Sequence, residues 1–290
     1  MILNARTARR TLLAVPVAMI GLLLAVPLVL TFVISVFERT GPKIRPGFTF
    51  KSYAQFFDGA RLVVLERGVL VAAEATIISL LIAYPIAYFL AMRVRPQITR
   101  TVLLLFTVPF LVNYILRTFA WTWLLGRTGP INVALMESGI TGAPVDWLLF
   151  SDFAVLVGLV TSYMPFMVYP LWLSIAGIDR RLIEASWLLG AAPWRTFRRV
   201  TLPLSMPGVF AAVIFGFVGC FGEAAVPTIL GGVGYQLMGN TITSALDVLN
   251  YPLAAAMSSV VIVLMLGLLL CWYALFDMRS FLGKILRWRM

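Results

Sequence analysis

The chain has 290 residues, 61% hydrophobic and 12% charged, and no histidine. A soluble domain carries about a quarter charged residues, so this composition makes a bilayer the solvent, and the missing histidine excludes His-based catalysis, His metal ligands and His proton relays. The net charge of +11 does not point to nucleic acid: only three basic residues are lysines and they form no run, while basic residues collect in the cytoplasmic loops of membrane proteins.

In chain order, apolar runs of spanning length occupy 12–37, 68–92, 101–125, 153–178, 205–230 and 253–276. Each is near or above the ~20 residues a helix needs to cross the hydrocarbon core. Each is expected to be helical, because backbone facing lipid must satisfy its own hydrogen bonds. The first run is far longer than the ~7–15-residue core of a signal peptide and is predicted to be an uncleaved span. Residues 1–290 thus read as one all-α integral membrane domain with six transmembrane helices. Segments 1–11, 93–100, 178–204 and 277–290 hold 15 of the 23 Lys and Arg residues, which predicts cytoplasmic termini in a multi-pass membrane protein.

Pro16, Pro27, Pro85, Pro109, Pro165, Pro170, Pro207 and Pro227 lie within these spans. Proline removes an i→i−4 bond, which membranes tolerate when neighbouring helices cover the freed groups. Cys220 and Cys271 fall in apolar stretches and read as buried, inert thiols rather than a disulfide or metal pair. Two flanking stretches look interfacial. "SYAQFFDGARLVV" repeats apolar residues at helical spacing from Tyr53 to Val64 and is predicted to lie flat on the outer surface. "RSFLGKILRWRM", at 279–290, mixes apolar and basic residues and suits anchoring to anionic lipid.

Segment 178–204 interrupts the oily chain with "EASWLLGAAPWRTFRRVTLPL". Asp179 suits the N-cap of a helix over roughly 180–189, and Gly190 suits its C′ position, where φ is positive. Pro193 fits the first position of a second helix, near whose negative end stand Arg198 and Arg199. Pro203 is expected to stop that helix before the fifth span. Ile183, Trp187, Leu182, Ala185 and Leu189 give the first helix a large apolar side. On this pattern two uses stay open, docking against another protein or lying on the lipid surface.

The spacing resembles the loop motif of permease subunits of ATP-binding-cassette importers: E-A-A, three residues, G, nine residues, I, one residue, L-P. This chain has Glu184-Ala185-Ser186, Gly190, Val200 and Leu202-Pro203 at those places, without a gap. "AYPIAYFLA", "VPFLVNYILRTFAW" and "FGEAAVPTILGG" are similar to the spermidine/putrescine branch, although that branch usually has Asp-Phe where this chain has Glu223-Ala224. The resemblance implies a type I importer permease whose cytoplasmic coupling helix, shaped by Glu184 and Gly190, sits in a groove of an ATPase subunit. It also implies two ATP-binding subunits, a second homologous permease, a periplasmic or surface-tethered solute-binding protein and, as cargo, a polyamine or related small cation.

Three ionisable residues, Glu74, Arg117 and Glu223, lie within spans. Such groups are expected to face the bundle interior or a wet cavity. With ~1.5 Å rise per residue they fall in one layer, ~9–12 Å below the outer helix ends. Glu223 is expected to line a path for a cation, with Glu74, Arg117, Tyr114 and Tyr88 as further path candidates; for Arg117 and Glu74 the favoured alternative is an ion pair that holds helices together. Tyr84, Tyr88, Tyr114, Trp121, Trp123 and Tyr163 are candidate cation–π walls, or else packing residues.

No P-loop, nucleophile elbow, zinc helix or dinucleotide fingerprint occurs, so the chain reads as non-catalytic, with ATP hydrolysed by a partner. The alternative is a secondary transporter driven by an ion gradient, with Glu223 as coupling acid, for which a hinged knob has no required role. One expectation follows for the hinge. Gly190→Val should uncouple ATP hydrolysis from solute uptake while leaving membrane insertion intact, as measured in proteoliposomes; normal uptake by the variant removes the hinge argument.

Overall fold

The computed structural model describes residues 5–41 and 43–275. In order these form α1 (Ala5–Ser35), a hairpin of β1 (Glu38–Thr40) and β2 (Lys43–Arg45), α2 (Lys51–Phe57), α3 (Ala60–Met92), α4 (Pro96–Leu111) and α5 (Tyr114–Leu125). There follow α6 (Pro130–Glu137), α7 (Asp152–Ala176), α8 (Arg180–Leu188), α9 (Pro193–Thr196), α10 (Leu202–Gly222), α11 (Ala225–Leu230), α12 (Met238–Asp247) and α13 (Tyr251–Leu275). Five helical runs are long and apolar enough to cross a membrane, and a sixth span results if the pair Pro96–Pro109 and Tyr114–Glu137, bent by 85°, counts as one. The predicted carboxy-terminal lipid anchor at 279–290 lies outside the described residues.

Two compact units divide the chain, one made of the segments up to Leu62 and from Ile242, the other of Val63–Thr241. In the first unit α1 and α2 pack on α13. α2 packs its apolar side inward: Phe56 is fully buried and Tyr53 Oη lies 2.8 Å from Ser35 Oγ, while the expected continuous helix is broken at Gly59, where φ is +72°. The antiparallel hairpin pairs Thr40 with Lys43 and Glu38 with Arg45, and alternation over three residues is too short to announce it in a sequence. Cys271 is exposed, unlike buried Cys220, because it falls on an open face of α13.

The second unit is built on the antiparallel pair α7 and α10. Gly208, Ala212, Gly216 and Gly219 form a small-residue strip along α10. A Cβ at Gly208 would stand 2.4 Å from Ser174 Cβ and 2.5 Å from the Pro170 carbonyl oxygen. At Gly216 it would meet Met167 Sδ at 2.7 Å, and at Gly219 the Tyr163 ring at 2.3 Å. Without a hydrophobic drive between helices in lipid, close backbone approach through small residues is what lets dispersion hold such a pair. Leu90 of α3 and Leu103 of α4 join Met167, Leu171, Ile175 and Ala212 in the buried core of this unit.

Two predicted continuous spans are broken. The third bends because Val112 is extended and the Asn113 side chain, accepting from the Ile115 amide at 2.9 Å, starts a new helix. The fifth ends at Gly222 and resumes at Ala225. The elbow at 178–204 forms where predicted, with one correction. Asp179 Oδ1 accepts from the Arg181 amide at 3.0 Å, Gly190 has φ +77°, and Pro193 begins α9. The Gly190 amide reaches the Trp187 carbonyl and the Ala191 amide that of Ser186, the paired bonds of a Schellman end. Pro203, however, does not stop the second helix. A π turn at Phe197–Thr201 leads straight into α10, with the Leu202 amide bonded to the Phe197 carbonyl, and this wider turn absorbs a proline that lacks an N–H and crowds the preceding turn.

Gly208→Val tests the helix seam. Its side chain overlaps backbone as well as side-chain atoms, so the variant should lose ~1–3 kcal/mol or more of stability. A melting midpoint in detergent unchanged from that of the parent chain would show that α7 and α10 do not depend on this approach.

Candidate functional site: a cavity between two broken helices

Both helix breaks open onto one cavity of about 570 Å³, lined by Tyr114, Arg117, Ser162, Tyr163, Phe166, Val218, Gly219, Gly222, Glu223, Ala224 and Ala225. A broken helix in an apolar setting leaves carbonyls and amides without their i±4 partners, and each costs several kcal/mol unless it is satisfied. The two charged residues of the cavity meet that demand. Arg117 Nη1 donates to the Pro109 carbonyl at 3.1 Å, the group that an unbroken helix would have bonded to the amide of Asn113. Glu223 Oε1 accepts the Ala224 and Ala225 amides at 3.1 and 3.0 Å.

The other carboxylate oxygen of Glu223 accepts from Tyr163 Oη at 2.7 Å. Tyr163 reaches it because Gly219, one turn before Glu223, has no Cβ in the way of the ring. A half-buried carboxylate is thus held by three donors, the Tyr163 hydroxyl of α7 and the Ala224 and Ala225 amides at the start of α11, in a cavity that the Tyr114 ring also lines. Aromatic faces and a fixed carboxylate attract cations; Arg117, tied to Pro109, adds a positive wall to the same space.

Of the residues expected to line a path, Glu223, Arg117 and Tyr114 come together here. Glu74 does not line this cavity; it lies on the exposed side of α3, and among the described residues it forms no ion pair with Arg117. The single layer expected for the three charges assumed straight helices, whereas the third and fifth runs are broken at 112–113 and 223–224. Tyr88 is four residues from the end of α3 and lines a different cleft of about 250 Å³, with Met92, Arg93, Arg180, Ile183, Glu184 and Trp187. It therefore belongs with the elbow. Ser162, Phe166 and Gly219 were not singled out from sequence; the signal for Gly219 was its place one helical turn before an intramembrane acid.

On the elbow, Ser186 Oγ donates to the Ile183 carbonyl at 2.7 Å and lies 2.8 Å from Thr196 Oγ1, joining α8 to α9. Glu184 and Ala185 are exposed, as is Pro203, while Leu202 is half-buried. Leu188 and Leu189, 89% and 87% exposed, continue the apolar side with Leu182, Trp187 and Trp194. A further cluster went unseen in the sequence. Asp152 Oδ1 receives Arg67 Nη2 at 2.8 Å and Tyr235 Oη at 2.6 Å, and the Arg67 guanidinium sits 4.3 Å from the Tyr235 ring centroid. Burial and the bond to Asp152 push the Tyr235 phenol above its usual range.

Tyr163→Phe removes one hydrogen bond to a charged group and should cost ~1.5–3 kcal/mol. Glu223→Ala removes that bond and also strands two backbone amides, so its melting midpoint in detergent should fall further than that of Tyr163→Phe. Equal midpoints for the two variants would show that Glu223 does not close the helix break.

Comparison with known proteins agrees with this architecture. Residues 75–279 match the family model described as "Binding-protein-dependent transport system inner membrane component". The spermidine/putrescine transport system permease protein PotB of Haemophilus influenzae is 34% identical over 250 residues, covering 86% of this chain and 87% of that protein. PotB of Escherichia coli K12 is 34% identical over 78% of this chain and 82% of its own length. Among solved structures, a bacterial alginate ABC transporter in complex with an alginate pentasaccharide-bound periplasmic protein superposes with a TM-score of 0.69 at 14% identity, covering 89% of this chain and 92% of the matched chain. A second, of a bacterial ABC transporter importing alginate, gives 0.67 at 14% identity over 94% and 96%; at this identity both speak for the fold alone. The broken, cavity-lining helices, the hinged elbow and the match over most of the chain make this protein a member of the binding-protein-dependent transport system inner-membrane permease family, a multi-pass permease subunit of an ABC importer.

Proposed function

We propose that the chain, as one permease domain, forms half of the path of an ATP-driven importer for a polyamine or a similar small cation. The observation that carries this reading is the Glu223 carboxylate, fixed at a helix break and bonded to Tyr163 in a cavity that Tyr114 also lines. That chemistry agrees with the cargo in the names of the 34%-identical relatives. The second half is a homologous permease, two ATP-binding subunits supply energy, and a periplasmic or surface-tethered binding protein delivers solute. The chain itself is non-catalytic, and its termini face the cytoplasm.

The elbow is the contact with the ATPase. Its exposed leucines and tryptophans form an apolar face too large to remain in water, and the Schellman turn at Gly190 keeps that face rigid. In the cycle, ATP draws the two ATPase subunits together and the elbows with them, and the kinked helices re-orient so that the cavity opens first outward and, after hydrolysis, inward. Glu184, Ala185, Ser186, Gly190, Leu202 and Pro203 carry the coupling, and Glu223 and Tyr114 contact the cation. An ion-gradient mechanism would leave the elbow without a role.

Uptake of radiolabelled spermidine and putrescine by the assembled importer in proteoliposomes checks this. Uptake should require ATP and the ATPase subunits, and Glu223→Ala should reduce it by an order of magnitude or more, the scale of losing a contact to a charged group. Uptake driven by a proton gradient alone, without the ATPase, would overturn the reading.

A further inference from the structure

The elbow and the cavity helices meet at one aromatic side chain. Phe197 stands at the start of the π turn, four residues into the continuous helical run Pro193–Gly222. Its ring stacks on Trp194 at 5.3 Å with planes 22° apart. The same ring meets Tyr84 and Tyr88 of α3 edge-to-face, both at 5.9 Å and at 82° and 86°. Tyr84 and Tyr88 are four residues apart, one turn on one face of α3, so Phe197 is gripped by two successive turns of that helix.

We infer that Phe197 is a positioning residue of the coupling step, a pivot that passes displacement of the elbow to α3. The inference rests on the reading that the elbow engages an ATPase. Three further contacts make the connection continuous. The Ser186–Thr196 bond ties α8 to the residue before Phe197, and Thr196 is itself buried. Ser205 Oγ donates to the Leu202 carbonyl at 3.0 Å, so at the 2.8 Å contact with Tyr84 it is the tyrosine that donates. Ser174 Oγ of α7 then donates to the Ser205 carbonyl at 3.3 Å. The start of α10 is therefore bound to α3 and to α7, whereas the elbow reaches α3 through Phe197.

The geometry suits motion. A Schellman turn and a hydroxyl pair hold the elbow as one piece, so a push on it arrives at Phe197 undiminished. Edge-to-face rings change their mutual angle at little cost, because the quadrupole attraction is broad. A π turn holds one residue more than the α register needs and recurs where helices must adjust. A stiff lever, a sliding aromatic contact and a locally wide helix thus lie in series at residues 186, 197 and 197–201.

The test uses the complete importer in proteoliposomes with Phe197→Leu, which keeps apolar volume and removes the ring, and Tyr88→Leu, which removes one of its edge contacts. Uptake should fall about tenfold in Phe197→Leu, the scale of a coupling free energy between sites. ATP hydrolysis and co-purification of the ATPase subunits should stay near parental values, so that ATP consumed per solute rises by a similar factor. Tyr88→Leu should give the same change in smaller measure. Parental stoichiometry in both variants, or uptake and hydrolysis falling in parallel in both, overturns the inference, since a packing defect lowers the two together. Failure of the underlying reading looks different: the unsubstituted chain then neither retains the ATPase nor loses coupling on Gly190→Val.

Discussion

Backbone left open by a broken helix inside an apolar medium must find partners, and this requirement organises the site. At 112–113 the freed Pro109 carbonyl takes the Arg117 guanidinium, and at 223–224 two freed amides take the Glu223 carboxylate. Charges that would be costly against lipid are therefore stabilised by the same defects that make room for a cavity. Remove either charge and the break it closes loses its partner. Straighten either helix and the cavity loses a wall.

Around this yielding region the packing is tight. The glycine strip of α10 lies against α7 closely enough that added methyl groups would overlap its neighbours, so the pair behaves as a beam. Gly219 belongs at once to that strip and to the site, since its bare backbone is what lets Tyr163 cross to Glu223. Seam and cavity thus share residues, and the geometry of one sets that of the other.

The fold alone does not choose a cargo. It is shared with transporters of an acidic polysaccharide, and the relatives at 34% identity are named for polyamines. Cargo differences between such proteins are therefore a matter of side chains set on a common frame; in the reading proposed here these are a carboxylate, two phenol rings and an arginine whose guanidinium holds backbone.

Composition and apolar run length determined by themselves that the chain is a multi-span helical membrane protein, since a bilayer accepts few other solutions. They also determined the first half of the elbow: Asp179, Gly190 and Pro193 act within one helical turn, and such chemistry is legible wherever it stands. Tertiary structure decided what depends on distant neighbours. Pro203 continues a helix because a π turn precedes it; Tyr88 lies against the elbow because Phe197 packs on it; Glu74 stays outside the cavity because α3 turns that face away. Glu223 meets a tyrosine 60 residues earlier in the chain, a pairing for which no local spacing leaves a trace. Helical periodicity and capping are encoded within four residues, whereas the destination of a side chain is set by which helices approach, and at what distance.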